Sequence, residues 1–107
     1  MTESLTEQAF RVKADEALEA LQQSLLDLAD EEGFEVELQG SVLNVLFEEP
    51  SAARFVVSPN APVRQIWVSA LVKSFKLGWS PDRGAFVLGD DSLGELLVRL
   101  IHQQLGR

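Results

Sequence analysis

The chain has 107 residues, no cysteine, and a formal charge of −8 from 17 acidic and 9 basic side chains. This length fits one domain, residues 1–107, with a single core that needs no covalent staple. Without cysteine the chain cannot form disulfides, thiolate-held iron-sulfur clusters or Cys nucleophiles, and its charge disfavours nucleic acid and anionic membranes as partners.

Residues from Ser4 to about Asp30 read as one long helix. Ser4-Leu5-Thr6-Glu7 fits a capping box, no Gly or Pro interrupts the stretch, and Gly33 follows as a stop. At 100° per residue, Phe10, Ala14, Ala17, Leu18, Leu21, Leu25 and Leu28 share one side, the core-facing stripe. Asp15, Glu16, Glu19, Asp27 and Asp30 fall on a separate arc of roughly 120°, an acidic ridge.

After Gly33 the apolar period changes to 2. Phe34, Val36 and Leu38 alternate with Glu35, Glu37 and Gln39, and Gly40-Ser41 turns the chain into a strand over Val42 to Phe47. Pro50-Ser51 marks another turn before a strand at Arg54 to Ser58. Pro59-Asn60-Ala61-Pro62 is read as a loop leading to the strand Arg64 to Ser69. Two shorter strands are expected near Ser74 to Trp79 and Ala85 to Leu88. Ser92-Leu93-Gly94-Glu95 is a second capping box, opening a helix with Leu93, Leu96, Leu97, Leu100 and Ile101 on its apolar side and Gly106 at its end. Connections this short make the sheet antiparallel. The expected fold is α+β: a two-layer α-β sandwich whose sheet of about six strands carries the N- and C-terminal helices on one face.

The charge is unevenly placed. Residues 1–37 hold eleven acids and two bases, a charge of −9, whereas the rest hold six acids and seven bases, a charge of +1. Because no linker, repeat or low-complexity tract separates the two parts, the asymmetry belongs to a surface. MTESLTEQAF lacks the basic and apolar regions of an export signal, and no apolar run approaches the ~20 residues of a membrane span. A cytoplasmic protein is expected.

In the Gln65 to Ser69 strand either parity could face the helices. One packs Ile66 and Val68 inward and leaves Gln65, Trp67 and Ser69 on the open face as an interaction surface. The other places Trp67 in the core.

His102 is the sole imidazole, at the end of the last helix, and no Gly-rich phosphate loop occurs, so conventional enzyme catalysis has no support. Carboxylates are abundant. Those of the ridge, with Glu35 and Glu37 on the first strand, suit hard cations, weakly, because they are exposed and borne on flexible side chains.

Four stretches resemble the frataxin family, bacterial type: Phe10-x3-Ala14-Asp15, Gly40-Ser41-Val42-Leu43-Asn44-Val45, Pro62-x2-Gln65-Ile66-Trp67-Val68-Ser69, and Ser92-Leu93-x-Glu95-Leu96-Leu97. The Gln-Ile-Trp stretch, placed after an acidic helix and a hairpin, is the most specific of them. The resemblance implies a two-helix, one-sheet sandwich and a role in iron-sulfur cluster assembly. It implies weak surface binding of iron (Fe2+/Fe3+) at Asp15, Glu19, Asp27, Asp30, Glu31, Glu35 and Glu37. Docking on the cysteine desulfurase falls to the ridge, Asp15, Glu16, Glu19 and Asp27, and contact with the scaffold protein to Trp67, Gln65 and Ser69. A monomer is implied, and a weak iron-oxidising activity is known in some members. Departures from the family pattern are Arg11 in place of a His found in some members, Ser58 in place of an Asn, Ala70-Leu71-Val72-Lys73 in place of a Gly- or Ser-rich segment, and Phe86 in place of an aromatic that is commonly Trp. The rival reading is a small acidic interaction module, such as a dimeric secretion chaperone without metal function.

Overall fold

The computed structural model describes residues 5–107. The first helix, α1, spans Glu7–Glu32. Ser4, expected to open the capping box, lies outside the described residues. The cap in place is Thr6, whose side chain accepts a hydrogen bond of 3.0 Å from the Ala9 amide. Helix α1 stops where expected: Gly33 takes a left-handed φ of 81° and its N–H donates to the Ala29 carbonyl at 2.8 Å. Only Gly enters this conformation without a Cβ penalty.

Seven antiparallel strands follow in the order of the chain: β1 Glu35–Gln39, β2 Val42–Phe47, β3 Ala53–Asn60, β4 Gln65–Ala70, β5 Lys73–Ser80, β6 Ala85–Leu88 and β7 Asp91–Ser92. The second helix, α2, spans Leu93–Gln104. The expectation of about six strands missed β7, which is two residues long and too short for any periodicity to register. Pro59-Asn60, read as loop, belongs to β3. It is tolerated there because β2 pairs with β3 only as far as Val57, so Pro59 sits where β3 has become an edge on that side. The loop itself shrinks to a 3-10 turn, Ala61–Val63.

Both helices lie on one face of the sheet. The apolar stripe of α1 is buried at Phe10, Ala14, Leu18, Leu21, Leu25 and Ala29, and all five residues assigned to the apolar side of α2 are buried. Beneath them the inward positions of the strands close the core, from Leu43 and Val45 on β2 to Ile66 and Val68 on β4. No polar or charged residue is buried among the described residues. The core is dry, so the hydrophobic effect holds the layers together without the desolvation cost of an internal polar network. Phe86, standing where the family pattern commonly has Trp, is in this core, edge-on to Phe10 at 5.7 Å and to Trp79 at 5.1 Å.

Helix α2 opens with the capping box read from the sequence. The Ser92 side chain accepts from the Glu95 amide at 3.3 Å, and the Glu95 carboxylate accepts from the Ser92 amide at 2.9 Å. The bonds from Ser92, backbone first and then side chain, together with Arg83, hold the Glu95 carboxyl below its ordinary value. A carboxyl with a depressed folded-state pKa stabilises the fold above its unfolded pKa and loses that contribution as pH falls through the folded value. Glu95→Gln is therefore expected to lower stability at neutral pH and to converge with the wild type in acid; chemical denaturation across pH measures it, and a constant difference at all pH values would contradict it.

Among the described residues, three other than Gly have positive φ: Arg64 at 53°, Leu71 at 53° and Val72 at 60°. Arg64 is compensated, because its guanidinium donates to the carbonyls of Ala61, Pro62 and Leu5 at 2.9 to 3.2 Å and ties the chain ahead of α1 to the 3-10 turn. Leu71 and Val72 form the two-residue loop between β4 and β5, closed by the Ala70 and Lys73 pair. Positive φ at both central positions is the signature of a type I′ turn, which favours Asn-Gly. Leu71 packs partly on the core, whereas Val72 is fully exposed. Left-handed backbone costs an L-residue about 1–2 kcal/mol, and glycine's extra unfolded-state entropy takes back part of any relief. Val72→Gly is expected to stabilise the protein by about 0.5–1 kcal/mol, a rise of several degrees in thermal midpoint; a midpoint at or below that of the wild type would refute the strain argument.

Candidate functional site

The ridge is a consequence of helical period alone. Asp15, Glu16, Glu19, Asp27, Asp30 and Glu31 are all exposed on α1, and at 1.5 Å per residue they spread over roughly 24 Å. Only Glu16 has a counter-charge within 4.0 Å among the described residues, in Lys13 at 4.0 Å. The others stand without one, and each adds to a common negative field. Arg11, which replaces a family His, does not sit loose among them: it pairs with Glu7, one turn back, at 3.2 Å.

The structure brings part of the ridge to the sheet. Asp15 and Glu19 border a hollow of about 150 Å³ closed by Leu38, Gly40 and Ser41, where α1 passes the β1–β2 turn. Gly40 makes this turn possible: its φ is +59° while Ser41 stays negative, the signature of a type II′ turn with Gly first. Glu35 and Glu37 do not join the helix carboxylates. Val36 and Leu38 pack on the core, so the alternate residues of β1 project from the opposite face, where Glu35 pairs with Leu46 and Glu37 with Asn44. The acidic surface thus bends around the β1 edge of the sheet instead of forming one plane.

This geometry limits what the carboxylates can hold. No group of three His, Cys, Asp or Glu side chains converges to hold a metal ion among the described residues. Hard cations bind tightly when several oxygens converge in a fixed cage, a condition these side chains do not meet. What the surface does supply is pairs of exposed carboxylates one helical turn apart, Asp15 with Glu19 and Asp27 with Glu31. Such pairs suit labile, water-rich association of a divalent cation.

On β4 the structure decides the parity left open by the sequence. Ile66 and Val68 are buried, and Trp67 is 37% exposed on the open face of the sheet. Its indole N–H donates to the Gln65 side-chain oxygen at 2.9 Å, and the Lys76 ammonium lies 4.9 Å from the ring centroid. Two partners of different kinds therefore fix one side chain: a hydrogen bond sets the ring's orientation and a cation–π contact covers part of its face. Ser69, the third residue assigned here, is exposed on the same strand, paired with Ser74. Lys76 escaped the sequence reading. Its pairing with Trp67 follows once the β4–β5 loop is known to hold two residues, but Leu71-Val72 carries none of the Gly or Asn that would announce such a loop.

The ridge and Trp67 lie on different layers, one on the helix side and one on the open sheet face. A hollow of about 360 Å³ lined by Val56, Ser58, Trp67, Ser69, Ser74 and Lys76 adjoins the tryptophan. No helix is long and apolar enough to cross a membrane.

Comparison with known proteins agrees with this architecture. A family model for the frataxin-like domain matches residues 3–107. The iron-sulfur cluster assembly protein CyaY of Azotobacter vinelandii is 35% identical, with 96% of this chain and 92% of that protein covered. The CyaY proteins of Pseudomonas syringae pv. tomato and Pseudomonas putida are 34% and 33% identical over the same shares. Among solved structures, frataxin from Psychromonas ingrahamii superposes with a TM-score of 0.69 at 17% identity, over 96% of this chain and 94% of that one. At that identity the likeness speaks for the fold.

Proposed function

The chain belongs to the frataxin-like family, and from that premise we propose that it is an iron-binding modulator of iron-sulfur cluster assembly, acting as a cytoplasmic monomer. The observation that carries this reading is the separation of two unlike surfaces on one small body. An acidic ridge largely without counter-ions runs along α1, and an immobilised, exposed Trp67 sits on the far face of the sheet. One protein can therefore be held by two partners at once.

In this reading the ridge, through Asp15, Glu16, Glu19 and Asp27, docks on a basic patch of the cysteine desulfurase. Charge complementarity at such a rim governs encounter and orientation more than final affinity, and it is screened over about 8 to 10 Å at physiological salt. Trp67, with Gln65 and Ser69, meets the scaffold protein on which clusters are built. A rigid aromatic at the centre of a shallow polar surface is the kind of side chain that carries interface energy. Iron arrives as cargo or effector: ferrous ions drawn to Asp15, Glu19, Asp27, Asp30 and Glu31 on α1, and separately to Glu35 and Glu37 on β1, neutralise at Asp15, Glu19 and Asp27 charges that the desulfurase would engage. Iron and desulfurase then compete for one surface, which makes the protein's hold on the desulfurase depend on iron supply. The alternative of a dimeric chaperone is favoured by no observation on this chain.

Two measurements test the reading. Desulfurase turnover is expected to change on adding this protein, and the change is expected to shift with ferrous iron and fade with added salt. No change in rate together with no complex at low salt would sink it. Asp15→Asn with Glu19→Gln is expected to weaken the low-salt complex by roughly two- to five-fold per charge removed, with thermal stability nearly unchanged because both groups are exposed. Adding the scaffold is expected to extend the desulfurase complex without displacing this protein; mutual displacement would contradict the two-surface arrangement.

A further inference from the structure

Among the described residues, Val72 is the point where the fold spends stability without a visible structural return. The two other left-handed residues are accounted for: Arg64 caps three carbonyls, and Leu71 packs partly on the core. Val72 has φ 60°, a β-branched side chain and complete exposure, and it stands at the tip of the β4–β5 hairpin. A β-branched residue in left-handed backbone is a genuine outlier, and such strain concentrates where a side chain is held out for use.

The surface leading to the tip is continuous with the Trp67 face. Trp67 pairs across the hairpin with Lys76, and the next rung outward on that face is Ser69 with Ser74. Beyond it comes the Leu71–Val72 turn, about 15 Å from Trp67 at the rise of an antiparallel strand. Two small hydroxyl side chains therefore make a low saddle between Trp67 and the exposed tip of the hairpin. The neighbouring strand completes it. The β3–β4 register places Val56 opposite Ser69, and two residues along β3 Arg54 stands beside the turn on the same face, exposed. Neither Arg54 nor Lys76 has a carboxylate within 4.0 Å among the described residues, although five other basic side chains do. So the saddle carries two positive charges without a close carboxylate; the carboxylates of this open face, Glu35 and Glu37, lie on β1, two strands and about 10 Å from β3, where salt screens them.

We infer that the β4–β5 hairpin, from the Trp67–Lys76 rung to Val72, is a docking surface for an acidic segment of a protein partner, with carboxylates meeting Lys76 and Arg54 and an apolar pocket receiving Val72. The charge pattern selects the occupant: the serine saddle accepts a backbone or small side chains, and the two cations exclude a basic segment by like-charge cost. This rests on the reading that the Trp67 face meets the scaffold protein, and it adds to that reading a second apolar anchor and the sign of charge that the partner presents there.

The test uses the full chain and the scaffold protein as probe, with binding followed by calorimetry at low and physiological salt and thermal midpoints measured beside it. Val72→Gly is expected to bind at least fivefold more weakly while its midpoint rises, a combination that a merely structural role for Val72 cannot produce. Arg54→Glu is expected to weaken binding by a similar factor, Arg54→Lys to retain it, and the loss with Arg54→Glu to shrink at higher salt. Trp67→Ala separates the two ideas. Weaker binding by Trp67→Ala with unchanged binding by Val72→Gly and Arg54→Glu would overturn the hairpin inference and leave the Trp67 face standing. Unchanged binding by all three would overturn both.

Discussion

Everything in this protein depends on a sheet that is buried on one side only. Two helices press a continuous apolar stripe onto one face of a seven-stranded meander, and no polar group interrupts the contact among the described residues. A one-sided core turns strand parity into a sorting rule, since each step along a strand exchanges core for solvent. The rule commits Ile66 and Val68 to packing and thereby commits Trp67 to the surface. It likewise sends Val36 and Leu38 under α1 and leaves Glu35 and Glu37 outside. The functional surfaces are what remains after the core has taken its half of the residues.

The same constraint explains why the protein concentrates its charge. Helix α1 is long, about 39 Å at helical rise, and only one side of it touches the sheet. Its outer arc is free to carry any polar residue, and it carries carboxylates most of which have no cation within 4.0 Å among the described residues. Mutual repulsion along such an arc costs some stability, and the dry core beneath can absorb it. Because the side chains are exposed and not convergent, the arc acts as a field more than as a chelate. That distinction separates a surface that attracts cations and basic groups in general from a cage that stores a metal.

Strain is handled differently at three positions, and the difference is informative. Arg64 occupies left-handed backbone and converts it into a clamp on three carbonyls. Leu71 shares the hairpin turn and recovers some packing. Val72, fully exposed, recovers no packing among the described residues. Among the described residues, Val72 is thus the one left-handed non-Gly residue whose cost no contact offsets.

The sequence by itself determined the helices, most of the strands and the membership of the ridge, because each rests on spacing within a few residues of chain. Phe10 to Leu28 announce a helical stripe, Ser92 and Glu95 announce a capping box, and the charge partition places the acids before residue 38. It left undecided whether Trp67 faced in or out, since Ile-Trp-Val satisfies an apolar face in either parity. It missed Lys76 because the turn that sets its register, Leu71-Val72, lacks turn chemistry, and it missed β7 because two residues carry no period. It also grouped Glu35 and Glu37 with the helix carboxylates, which the sheet separates by a layer. Only the tertiary structure decided these points, for one physical reason: period is a local property of the chain, whereas parity, register and layer are fixed by what packs against a segment from elsewhere in the fold.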